Sequence, residues 1–179
     1  MRQLADTARL ERFMDALARA ARSPANVYFT GGTTALLFGW RETTVDVDLK
    51  LVPDSDELLR AIARLKDELQ VNVELAAPDQ FLPALPGWRE RSAFIGRKHP
   101  LSFFHYDFYA QTLAKIERGL AKDLEDAESM HDADLVDAER LLELFTAIEP
   151  DLYKFPAVDA RDLRRRVEEW VAAHRRPRP

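Results

Sequence analysis

The stretch Val27-Tyr28-Phe29-Thr30-Gly31-Gly32-Thr33-Thr34-Ala35-Leu36-Leu37-Phe38-Gly39-Trp40-Arg41-Glu42-Thr43-Thr44-Val45-Asp46-Val47-Asp48-Leu49-Lys50-Leu51-Val52 decides the fold. Its first residues, Val27 to Phe29, are a short β-prone run that stops at a glycine pair, and Thr33 to Phe38 then has the apolar density of a helix starting directly from that turn. Val45 to Val52 alternates: Val45, Val47, Leu49 and Leu51 fall on one face of a strand, and Asp46, Asp48 and Lys50 on the other. A strand, a glycine turn, a helix and an acid-bearing strand therefore follow one another within twenty-six residues.

Outward from this segment the same rules apply. Pro53-Asp54-Ser55 is a break, and Asp54 with Glu57 resembles a capping box for a helix with apolar positions Leu58, Leu59, Ile62, Leu65 and Leu69. A second alternating strand, Val71 to Leu75, puts the valines and Leu75 on one face and Asn72 and Glu74 on the other. Strand, helix and strand over this length favour a parallel crossover, with antiparallel pairing as the alternative. Upstream, Leu10, Phe13, Met14, Leu17 and Ala18 recur at helical spacing after Asp6-Thr7, and the helix ends before Ser23-Pro24. Downstream, Pro78 to Arg91 reads as an irregular loop anchored by Phe81, Leu82, Leu85 and Trp88. Ala93 to Ile95 and Leu101 to Tyr106 form a hairpin around the turn Arg97-Lys98-His99-Pro100. A helix from Asp107 through Ala127 has Leu113, Ile116, Leu120, Leu124 and Ala127 on its apolar face and Lys115, Arg118, Lys122 and Asp126 on its polar face, with Gly119 as a weak point. Two more amphipathic helices, Asp134 to Ala147 and Asp159 to Ala173, precede a disordered Pro/Arg-rich tail, 175–179.

The 179 residues, 46% hydrophobic and 32% charged, suit one globular domain. A net charge of −5 argues against a protein that grips nucleic acid over its whole surface, and leaves room for a local basic patch. Without cysteine there is no disulfide, thiolate zinc site or thiol nucleophile. No signal-peptide run or long apolar segment is present, so a soluble cytoplasmic protein without membrane partners is expected.

Asp46 and Asp48 are separated by one strand residue and project from the same face, their side-chain bases about 6.5 to 7 Å apart. Both carboxylates can therefore reach the same hard cations. Magnesium takes one or two carboxylates and completes its shell with water and substrate phosphates, and paired metals serve in-line displacement at phosphorus. Glu74 is where a third acid belongs if the two strands lie side by side. Gly31 and Gly32 let backbone N–H groups approach phosphate oxygens, with Thr33 and Thr34 hydroxyls nearby. No Walker lysine is present.

The run from Phe29 to Leu49 resembles the signature of the polymerase-β-like nucleotidyltransferase superfamily: a Gly-Gly element followed by Asp-x-Asp on a strand. Lys115 to Arg118 and Lys122 to Asp126 are similar to a helix of its bacterial abortive-infection and toxin–antitoxin branch. The resemblance covers about Val27 to Met130. It departs from the superfamily where Thr33 stands in place of the usual serine, and where the third acid is glutamate. The resemblance implies an α/β (α+β) nucleotidyltransferase fold with a small mixed sheet flanked by helices. It also implies a nucleotidyltransferase-like core over 1–106 and a helical C-terminal portion over 107–174 packed on that core. It further implies Mg2+ or Mn2+ on Asp46 and Asp48, with catalysis by Asp46, Asp48 and Glu74. Gly31, Gly32, Thr33, Lys115 and Arg118 would contact a nucleoside triphosphate (NTP), with Asp126 in support. The acceptor would be a hydroxyl of RNA or protein, and the partner a cognate toxin or antitoxin; a catalytically inactive binding or antitoxin module is the alternative.

Plainer readings stand beside these. Asp46 and Asp48 can be the solvated face of an edge strand, Asn72 and Glu74 likewise, and Lys115, Arg118 and Lys122 the wet side of an amphipathic helix. His99 and His105 lack partners at metal-ligand spacing and read as surface or interface residues, and Phe81 and Trp88 as loop anchors.

Overall fold

The computed structural model describes residues 3–175; of the tail expected at 175–179, residues 176–179 lie outside them, while Arg175 is described, its Nε 2.7 Å from Glu139 Oε1. The chain divides into two compact units. The first is formed by the residues up to Ala77 and by Ser92–Tyr106, the second by Pro78–Arg91 and the residues from Asp107 on.

In the first unit, α1 (Thr7–Ala20) starts where Asp6 accepts a hydrogen bond from the Arg9 N–H at 2.7 Å, and it buries Leu10, Phe13, Met14, Leu17 and Ala18. β1 (Ala25–Thr30) runs directly into α2 (Gly31–Leu37). β2 spans Asp46–Val52, α3 Asp56–Glu68 and β3 Asn72–Glu74. The hairpin of β4 (Ala93–Lys98) and β5 (Leu101–His105) completes a five-stranded mixed sheet in the order β3-β2-β1-β5-β4. β2 and β3 are parallel, as the crossover reading requires; β1 pairs antiparallel with β2 and parallel with β5. Val27, Phe29, Val47, Leu49, Leu51, Val73, Leu101 and Phe103 share one core with the apolar faces of α1 and α3. Burying that face of the sheet turns the alternate residues of each strand to the opposite one.

Several local expectations give way here. Val45 precedes β2 and is 60% exposed, because the strand begins only at Asp46. Leu75 lies beyond the three-residue β3 and is likewise exposed. The cap of α3 is Ser55, whose hydroxyl accepts from Leu58 N–H at 3.3 Å; Glu57 instead accepts from the backbone N–H of Arg22 at 2.6 Å. Pairing in the hairpin continues through Lys98, so its connection shrinks to His99-Pro100.

The second unit contains a 3-10 turn (Pro78–Gln80), α4 (Trp88–Arg91), α5 (Phe108–Arg118), α6 (Ala121–Asp132), α7 (Ala138–Ile148), a second 3-10 turn (Glu149–Lys154) and α8 (Ala160–His174). Arg91 clamps Asp107, with Arg91 Nη2 2.6 Å from Asp107 Oδ2, which ties the 78–91 segment to the start of α5. Burial pushes the Asp107 carboxyl up, against the opposing pull of Arg91. Leu82 and Leu85 are buried anchors as expected, but Phe81 is exposed. The single helix expected over 107–127 is two, because Gly119 takes the left-handed conformation (φ +67°) that ends α5. α7 begins at Ala138 rather than near Asp134, since Asp137 is the residue that caps it, accepting from Arg140 N–H at 2.8 Å.

Candidate functional site

The acids of the first unit come together through strand register. Val47, Leu49 and Leu51 occupy the core, so Asp46 and Asp48 lie on the other face of β2. Parallel pairing sets Asn72 beside Asp46 and Glu74 beside Asp48, and adjacent strands run about 4.8 Å apart. The amide of Asn72 donates from Nδ2 both to Asp46 Oδ1 at 2.5 Å and to Glu74 Oε1 at 3.2 Å. Asn72 thus ties the first and third acids together, a role its position on the polar strand face suggests only once the register is known.

The glycine turn meets the same face from β1. Thr30 is the register partner of Asp48, and Gly31 follows at φ +60°, a conformation that L side chains rarely adopt. A Cβ on Gly31 would stand 2.7 Å from Asp48 Oδ2, inside van der Waals contact. A Cβ on Gly32 would stand 2.3 Å from Thr44 Oγ1 and 3.7 Å from Arg41 Nη1. The glycines are therefore needed for close approach: the carboxylate of Asp48 lies against one, and the 38–45 connection against the other. Thr44 also donates its hydroxyl to the Asp46 carbonyl at 3.0 Å, which fixes the entry to β2. Arg41 and Thr44 carry no sequence signal of this placement, because it depends on how the connection folds back.

Thr33 and Thr34 are fully buried. The Thr33 hydroxyl has no hydrogen-bond partner, whereas Thr34 Oγ1 lies 3.2 Å from His105 Nδ1. His105, read as a surface or interface residue, is 8% exposed and packs against Phe38, with ring centroids 4.8 Å apart. Burial pushes its pKa down to about 4, so the ring is neutral at physiological pH.

Lys115, Arg118 and Asp126 belong to the second unit. Lys115 and Asp126 are buried rather than on a wet helix face: Lys115 Nζ lies 2.5 Å from Asp126 Oδ2 and 3.6 Å from Asp123 Oδ1. Arg118, largely exposed, reaches Asp123 Oδ2 at 3.2 Å. The break at Gly119 makes this possible, because α6 can then turn its aspartates toward the last turns of α5.

A hard divalent cation suits the donor set of the first unit. Two carboxylates share one strand face, with a third on the neighbouring strand, and the Gly31 turn lies against the Asp48 carboxylate. Among the described residues no group of three or more His, Asp or Glu side chains is arranged to hold an ion alone.

The model of a protein family described as nucleotidyltransferase of unknown function (DUF6036) matches residues 7–175. No curated protein and no solved structure matches the chain. Among the described residues no helix is long and apolar enough to cross a membrane.

Proposed function

The chain belongs to this nucleotidyltransferase family, and from that premise we propose that it transfers a nucleoside monophosphate from an NTP to a hydroxyl of RNA or protein, as one component of a toxin–antitoxin pair. The observation that carries this reading is the shared sheet face of Asp46, Asp48 and Glu74 with Gly31 seated against the Asp48 carboxylate. Asp46 and Asp48 would hold Mg2+ or Mn2+, which when bound would supply charge stabilisation to the transferring phosphoryl group. The turn at Gly31 and Gly32 receives the triphosphate. Glu74 accepts the proton of the acceptor hydroxyl as that oxygen bonds to the α-phosphorus. The bond from the α-phosphorus to the bridging oxygen breaks, and pyrophosphate leaves.

One observation favours a second reading, a catalytically inactive binding or antitoxin module: the Asn72 amide already engages an oxygen of Asp46 and one of Glu74. Titration calorimetry with each NTP, with and without magnesium, separates the two. Metal-dependent binding that disappears in Asp46→Asn supports transfer, and metal-independent binding supports the inactive module. Incubating α-labelled NTP with RNA and with a cognate partner protein then identifies the acceptor; label on neither overturns the transfer reading.

A further inference from the structure

The sequence is acidic overall, yet the first unit gathers positive charge at one place. A cleft of about 550 Å3 opens between the last turn of α1 and the first turns of α3, lined by Arg19, Arg22, Arg60, Arg64 and Glu57, with Ala20 and Ala61 as its small floor residues. The four arginines are exposed and Glu57 is half-buried. Among the described residues, Arg60 and Arg64 pair with Asp56 and Glu68 of their own helix, at 4.0 and 3.2 Å across strongly exposed surface. Such pairs contribute little and exchange readily for a better anion.

We propose that this cleft binds the phosphodiester backbone of a single-stranded nucleic acid. Arg19 and Arg22 lie three residues apart on one wall, and Arg60 and Arg64 four apart on the other. Residues four apart on a helix, as Arg60 and Arg64 are on α3, stand about 5 to 6 Å apart at their Cβ atoms, close to the separation of successive phosphates. Guanidinium forks match phosphate oxygens in pairs. Glu57, one oxygen of which is held by the Arg22 N–H, keeps lone pairs that can accept from a ribose hydroxyl. No aromatic ring lines the cleft, so binding is to backbone and insensitive to base sequence. The site is built from α1 and α3, across the sheet's core from the acid face of β2, and does not rest on the nucleotidyl-transfer reading.

Fluorescence anisotropy with a labelled short oligouridylate and the matching oligodeoxynucleotide tests this on the full chain. Four phosphate contacts to a single strand predict an affinity drop of about 50-fold between about 50 and 200 mM salt. Arg19→Glu with Arg60→Glu should weaken binding at least about tenfold, while Arg140→Glu with Arg161→Glu leaves it unchanged. If charge reversal unfolds the chain by circular dichroism, Arg19→Gln with Arg60→Gln reads the same contacts. The proposal is overturned by an absence of binding in the wild type or by equal loss in the Arg140/Arg161 control. Displacement of the oligonucleotide by polyglutamate at equal charge concentration would also overturn it, in favour of an acidic protein.

Discussion

Replacing Gly31 by alanine separates two physical demands on the glycine turn. The first is conformational: at φ +60° an L-residue is strained by about 1 to 2 kcal/mol. The second is steric. The new Cβ would lie 2.7 Å from Asp48 Oδ2, so the carboxylate must retreat by roughly half an ångström or more, and overpacking of this kind costs about 1 to 3 kcal/mol. Asp48 is only half-buried and can yield, which puts the steric part near the lower end. The sum, about 2 to 3 kcal/mol, would lower Tm by roughly 4 to 12 °C in a chain of this size. The decisive measurement is a double-mutant cycle by urea denaturation. Asp48→Ala keeps the Asp48 Cβ, which lies 3.9 Å from the new methyl and makes ordinary contact, while removing the clashing oxygen. In that background Gly31→Ala should cost only its conformational part, giving a coupling of about 1 kcal/mol. An equal cost in both backgrounds, with unchanged m-values, would refute the close approach of Gly31 and Asp48. No cost in either would refute the left-handed turn as well.

Magnesium should stabilise the wild type, by about 2.7 kcal/mol at a hundredfold excess over Kd, and Asp48→Asn should lose most of that gain; an undiminished thermal shift in the variant would remove Asp48 from the metal. Lys115→Ala leaves Asp126 and Asp123 without their buried cation and should cost about 3 to 5 kcal/mol; a variant within about 1 kcal/mol of wild type by urea denaturation would show the pair is not buried. His105 has a folded pKa near 4, below its unfolded 6.5, so between these values the unfolded chain binds more protons and folding loses stability as pH falls. Wild type should lose up to about 3 kcal/mol relative to His105→Gln from pH 6.5 to 4; parallel pH profiles for the two would place His105 in solvent.

What local sequence could determine was whatever depends on spacing along one element. The five apolar residues of α1, the alternation of Val47, Leu49 and Leu51 against Asp46 and Asp48, and the glycine pair closing β1 are all legible, because side-chain direction repeats every 3.6 or 2 residues. The order strand, helix, strand favoured the parallel crossover from β2 through α3 to β3 and left antiparallel pairing open; the register that sets Glu74 beside Asp48 came from the structure. Periodicity misled at element ends: Val45 and Leu75 continue the pattern but lie beyond the ladder, where no neighbouring strand buries them. It misled again at Gly119, where one residue's left-handed turn converts a continuous polar stripe into two helices and carries Lys115 and Asp126 inward. Only the tertiary structure could join residues through register and packing: Asn72 between Asp46 and Glu74, the Asp48 carboxylate against Gly31, the Thr44 hydroxyl against Gly32, and His105 buried on Thr34. The arginine cleft is of the same kind. Its two walls are separated by more than thirty residues of chain and meet only because α1 and α3 pack over the same face of the sheet, a distance relation that no one-dimensional pattern encodes.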